Sequence, residues 1–98
     1  MTDGNELQRV HVWVKGFVQN VGFRAHVQYS ARQIGVAGWV RNVGDDTVEA
    51  VGEGKREQLE RLVEAMKRGP RGSQVDESNV EWQNATGEFK DFQLRRSM

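Results

Sequence analysis

Between residues 10 and 34 the apolar period of the chain changes from two to about 3.6, and it does so across a segment holding two glycines and an asparagine. In residues 10–15 (VHVWVK), Val10, Val12 and Val14 alternate with His11, Trp13 and Lys15, the pattern of a strand with one buried face. From Phe23 the apolar positions are Phe23, Val27, Ala31 and Ile34, and Gly35 follows as a stop signal, which predicts a helix of about three turns. Gly16–Gly22 (GFVQNVG) between them is therefore a tight loop. A strand that turns through such a loop into a helix leaves a run of backbone N–H groups unpaired, those of the loop and those of the first helical turn.

The remaining elements follow from the same patterns. Residues 36–43 (VAGWVRNV) and 47–53 (TVEAVGE) are short, rich in β-branched or aromatic residues and separated by Gly44-Asp45-Asp46, which predicts a hairpin. Leu59, Leu62, Val63 and Met66 at i, i+3, i+4 and i+7 predict a helix over 55–68, ended by Gly69-Pro70. Residues 69–74 read as a loop, Val80 and Trp82 mark a fourth strand, and Phe92 and Leu94 a short fifth. The order β-α-β-β-α-β plus one closing strand predicts an α+β, ferredoxin-like βαββαβ sandwich, with two helices on one face of an antiparallel sheet and the other face open. With 98 residues, folding removes about 60–70% of the unfolded chain's surface from water, enough for one core. The expected organisation is a short polar arm over residues 1–8 and a single domain over 9–98.

Composition narrows the chemistry. There is no cysteine, so disulfides, thiol nucleophiles and thiolate-bound zinc are excluded, and two histidines cannot alone fill a tetrahedral zinc site. No cofactor or metal is expected. Fourteen basic and 14 acidic residues cancel, which argues against a general nucleic-acid or membrane footprint while allowing one basic pocket. No run of about 18 apolar residues suggests a membrane span, and residues 1–9 lack the apolar core of a secretory signal, so a cytoplasmic location is expected.

The glycine loop is followed by Arg24 at the second helical position, a cation with a planar set of donors beside unpaired N–H groups. A phosphoryl or carboxylate group suits that corner. The spacing alone leaves a second reading open, in which the glycines serve the turn and Arg24 is solvated. The loop is not a Walker A, because Phe23 and Arg24 stand where Lys and a hydroxyl are needed, and GxGxxG is absent.

Gly16-Phe17-Val18-Gln19-Asn20-Val21-Gly22-Phe23-Arg24, then Ala31, Gly35, Gly38-Trp39-Val40-Arg41-Asn42, Thr47-Val48-Glu49, Gly54 and Asp91-Phe92, together resemble the acylphosphatase family over about residues 8–96. The resemblance implies a hydrolase that cleaves the carboxyl-phosphate anhydride of acyl phosphates without metal or phosphoenzyme. It implies that Arg24 and the backbone amides of Gln19, Asn20, Val21, Gly22 and Phe23 hold the phosphate, and that Asn42 orients the attacking water. The expected partners are a small-molecule acyl phosphate and, in competition, inorganic phosphate or sulfate, bound to a monomer. Elementary chemistry agrees: in-line phosphoryl transfer needs neutralised oxygens, a placed water and a good leaving group. A carboxylate leaves with little protonation, so a dedicated general acid is dispensable. Spacing does not bring residues 24 and 42 together; only the resemblance does.

Other residues carry groups suited to the same chemistry. His26, two positions from Arg24, is expected to point away from the pocket. His11 is expected on the open sheet face near Trp13, and Arg41 on the face opposite to Asn42. Trp39 and Trp82 read as contributors of buried area rather than stacking groups. For Gln19 the backbone N–H is a phosphate ligand candidate, while bracing of the turn is an alternative role for the side chain. Asn20 stands where the family commonly has glycine and is expected to tolerate a left-handed conformation. The Gly44-Asp45-Asp46 turn departs from the family pattern, and a positive φ at Asp46 is one expected consequence. Two competing functions remain: RNA binding, hinted at by Lys15-Gly16-Phe17 but lacking the further aromatics, and a phosphate-binding accessory module of a larger assembly.

Overall fold

In the computed structural model, which describes residues 6–98, strand β1 (Leu7–Phe17) turns Val10, Val12 and Val14 into the core and sends His11, Trp13 and Lys15 to the opposite face. Helix α1 (Phe23–Ile34) follows, then the hairpin of β2 (Ala37–Val43) and β3 (Thr47–Lys55), helix α2 (Arg56–Arg68), β4 (Gln74–Asn84) and β5 (Phe92–Leu94). The strands form one sheet in the order β4-β1-β3-β2-β5. Phe23, Val27 and Ala31 of α1 and Leu59, Leu62, Val63, Ala65 and Met66 of α2 are buried, and the two helices lie over the sheet face that carries Val10, Val12, Val14, Val40, Val48 and Ala50. This is the ferredoxin-like α+β sandwich expected from the element order.

Three details differ from expectation. Leu7 and Gln8 pair with Lys55 and Gly54, so β1 takes in the end of the stretch read as a polar arm, whose residues 1–5 lie outside the described residues. The sheet is mixed rather than wholly antiparallel, because β5 runs parallel to β2 through Gly38↔Phe92 and Val40↔Leu94. The cause is the path of residues 85–91, which cross the sheet at the end where β3 finishes and β2 begins, so the chain re-enters at the far edge in the direction of β2. That crossing is held by Glu53, a buried carboxylate that accepts the Thr86 N–H (2.9 Å), the Gly87 N–H (2.9 Å) and Arg9 Nε (2.8 Å). Finally, Gly44 takes the left-handed conformation in the β2–β3 turn (φ 60), and Asp46 has no positive φ. The residue without a Cβ absorbs the strain at no steric cost.

The face opposite the helices is covered by its own side chains. His11 stacks on Trp13 with ring centroids 3.8 Å apart, and Trp39 meets His11 edge-on and lies under the guanidiniums of Arg41 (4.8 Å) and Arg95 (5.0 Å). Glu49, 5% exposed, accepts a hydrogen bond from Arg41 Nε at 2.6 Å and has His11 Nε2 at 2.6 Å. His11 and Arg41 thus sit where the alternation places them. Trp39 belongs to this outer layer and not to the core, whereas Trp82 packs against the core's edge and carries Arg56 at 3.5 Å.

These contacts have an acid limit. Burial raises the carboxyl pKa of Glu49 and Glu53, but for Glu49 the hydrogen bonds and charges of Arg41 and His11 outweigh it, and for Glu53 the Thr86 and Gly87 N–H groups and Arg9 do so. Both carboxyls are held below the ordinary glutamate value. A carboxyl depressed in the folded state adds stability that is complete above the unfolded pKa, about 4.3 for Glu, and is lost as pH falls through the lower folded value. Urea midpoints of the wild type should therefore fall steeply below about pH 4, and Glu53→Gln should flatten that fall while lowering stability near neutrality. An acid limb of unchanged slope in the variant would show that Glu53 contributes nothing to it.

Candidate active site

The site begins with the way β1 ends. An irregularity between Lys15 and Gly16 shifts the register with β4, where Gly16 and Phe17 still pair with Val75 and Gln74, and the Gly16 N–H bonds the Asp46 carbonyl at 2.9 Å, so β1 ends beside the β2–β3 turn. Asn20 (φ 63) and Gly22 (φ 75) are both left-handed, with Val21 between them at negative φ. Alternation of this kind directs successive backbone N–H groups toward a common side, the geometry of an anion-binding nest. Gly22 is also the N-cap of α1; no side chain caps that terminus and no acidic residue occupies its first turn. Among the described residues, the N–H groups from Gln19 to Arg24 have no protein acceptor. Unpaired donors and the positive end of the helix dipole therefore coincide.

A cleft of about 110 Å³ opens at this point, lined by Val18, Asn20, Gly22, Phe23, Arg24 and Asn42. That is the room of three or four waters, suited to a small anion. Arg24 and Asn42, 18 positions apart, line the same cleft because the loop passes over the start of β3 and sets the N-terminus of α1 beside the end of β2. Arg24 Nη1 donates to the Arg95 carbonyl at 3.1 Å, which fixes the guanidinium while its other donors stay without a partner among the described residues. Residues 95–98 extend the pairing of β5 along β2, with the Arg95 N–H on the Val40 carbonyl (2.8 Å) and the Met98 N–H on the Asn42 carbonyl (2.9 Å). The backbone of Asn42 is thereby held on both sides, by β3 and by this tail.

The other candidates fall elsewhere. The Gln19 side chain turns away from the cleft to the β2–β3 turn, donating to the Val43, Gly44 and Thr47 carbonyls. Val21 packs against the core, and His26 lies edge-on to Phe23 with its Nε2 buried and unpartnered among the described residues. Two contributors escaped the sequence pattern. Val18, fully buried, forms the floor of the cleft, and the Arg95 carbonyl anchors Arg24; a backbone carbonyl just beyond a three-residue strand leaves no compositional trace. A larger groove of about 570 Å³ between the helices, lined by Tyr29, Ile34, Glu60, Arg61, Glu64 and Arg68 among others, has no converging backbone donors and is remote from this chemistry. Among the described residues no three metal-ligating side chains cluster, and no helix is long and apolar enough to cross a membrane.

A strand–nest–helix corner with Arg24 and Asn42 lining one small cleft, set on a ferredoxin-like sandwich, has the geometry that suits a small anion. The sequence pattern of the acylphosphatase family matches residues 10–94, and the chain belongs to that family, an enzyme of the acid-anhydride hydrolase class. It is 48% identical to an acylphosphatase of Pelotomaculum thermopropionicum over 86 residues, covering 88% of this chain and 94% of the relative. The crystal structure of an acylphosphatase from Bacillus subtilis is similar, with a TM-score of 0.86 at 35% identity, covering 90% of this chain and 98% of that one. Full-length HypF, in its phosphate- and nucleotide-bound form, contains the same fold with a TM-score of 0.85 at 26% identity, over 99% of this chain and 13% of its own.

Proposed function

We propose that this protein hydrolyses the carboxyl-phosphate anhydride of acyl phosphates, releasing a carboxylate and inorganic phosphate, with residues 9–98 acting as one acylphosphatase-like domain. The observation that carries the proposal is the convergence of unpaired loop amides, Arg24 and Asn42 on one small cleft. The amides of Gln19, Asn20, Val21, Gly22 and Phe23 and the Arg24 guanidinium hold the phosphoryl oxygens, each charged hydrogen bond contributing about 1.5–3 kcal/mol. The Asn42 amide, which never titrates, holds the water through its carbonyl or its N–H₂ group. The water oxygen bonds to phosphorus as the bond to the acyl oxygen breaks. The electron pair leaves with the carboxylate, and the water's proton passes to a phosphoryl oxygen or to solvent. The setting proposed for this activity is a monomer in the cytoplasm.

The test is release of phosphate from benzoyl phosphate in the presence of EDTA. Hydrolysis should persist in the chelator, and inorganic phosphate and sulfate should inhibit competitively by occupying the nest. Activity abolished by EDTA and restored by Mg²⁺ or Zn²⁺ would overturn the metal-free mechanism. The likeness to one segment of HypF supports a second reading, a phosphate-binding module without turnover. Competitive anion binding with no phosphate release would select it.

A further inference from the structure

We propose that the side chain of Gln19 is a positioning residue, a tether that sets the spacing between the phosphate-holding loop and Asn42. Its single Nε2 faces three backbone carbonyls, those of Thr47 (3.0 Å), Gly44 (3.1 Å) and Val43 (3.4 Å). An N–H₂ group has two protons, so at least one is shared between carbonyls. The three acceptors lie at the end of β2, in the turn and at the start of β3, and Val43 directly follows Asn42. On the other side of the tether, Gln19 directly precedes the left-handed Asn20 with which the nest begins. One amide therefore joins the cradle for the anion to the strand end that carries Asn42. Before the loop begins, the end of β1 is joined to the same turn by the Gly16 N–H on the Asp46 carbonyl, three residues before Gln19.

The convergence of three carbonyl dipoles makes the site demand a donor and reject a negative charge. A glutamate at position 19 has the same shape but would set carboxylate oxygen against carbonyl oxygen, and a methionine of similar length can neither donate nor repel. The cradle's own donors are backbone groups and Arg24, which both substitutions leave in place. The tether thus acts on where the anion lies relative to Asn42 and not on how tightly the anion is held. A displacement of about 1 Å between reacting groups costs about 100-fold in rate.

The inference rests on the proposed hydrolysis, and its test is read with benzoyl phosphate as substrate and inorganic phosphate as competing ligand. Gln19→Glu and Gln19→Met should each lower kcat by about 30- to 100-fold, while the phosphate Ki stays within about threefold of wild type. In an Asn42→Ala background the same substitutions should slow the enzyme little further, since a tether that works through Asn42 has nothing left to place. Val63→Ala in α2, remote from the cleft, serves as a stability control and should lower the melting temperature without lowering kcat. Wild-type kcat in both Gln19 variants overturns the tether, as does a phosphate Ki that rises in step with the fall in kcat, or losses that multiply with Asn42→Ala. A wild-type protein that releases no phosphate overturns the hydrolase proposal itself. Should Gln19→Glu fail to fold, the uncharged Gln19→Met decides alone.

Discussion

Asn42→Ala should lower kcat by about two to three orders of magnitude, the usual cost of deleting one preorganised polar group from an active site, while KM and the phosphate Ki remain close to wild type. The asymmetry follows from what the side chain is proposed to touch. On that proposal Asn42 holds the water, whose position matters only as the P–O bond forms, so its loss should be felt in the transition state and not in ground-state binding. Its backbone role is separate, because the Asn42 carbonyl accepts from Met98 and its strand pairs with β3 at Val48 whatever the side chain. Alanine keeps both, and the melting temperature should change little. Measuring kcat, phosphate Ki and Tm on this variant decides between roles. A loss of rate, phosphate binding and thermal stability together would mark Asn42 as a strand-end structural residue, and an unchanged kcat would remove it from the mechanism.

Arg24→Lys should fail as a conservative change, reducing kcat/KM by about 100-fold or more, with the phosphate Ki raised in parallel; losing one or two charge-assisted hydrogen bonds worth about 1.5–3 kcal/mol each sets the size of the effect. The guanidinium is oriented by the Arg95 carbonyl at 3.1 Å and offers its remaining donors in a plane. A lysine ammonium drawn to the same carbonyl would present a point charge with fewer donors directed at the anion. Because Arg24 is proposed to meet the phosphate in ground and transition states alike, its loss should appear in binding as well as in rate, unlike that of Asn42. An Arg24→Lys enzyme with near wild-type efficiency would exclude a bidentate grip.

Much of this molecule is written in short-range pattern. The alternation of Val10, Val12 and Val14, the spacing of Phe23, Val27 and Ala31, and the amphipathic run from Leu59 to Met66 each locate an element and its buried face, because period and burial are set by backbone geometry over a few residues. The nest is legible for the same reason: Asn20 and Gly22 are residue types that accept a left-handed backbone, and both adopt it. The parallel pairing of β5 was not legible, since direction depends on the end of the sheet at which residues 85–91 cross, and that crossing is held by Glu53 from 33 and 34 positions away. Nor was the outer placement of Trp39, whose alternation marks a face without telling which side the helices will cover. The meeting of Arg24 and Asn42 in one cleft, and the turning of Gln19 toward the β2–β3 turn, follow from the strand order β4-β1-β3-β2-β5, which carries the loop from β1 across β3 to β2. Residue type and spacing specify which groups have the chemistry; only the packing of distant strands sets them around one cleft, because neighbours in a sheet are chosen by burial over the whole chain and not by proximity along it.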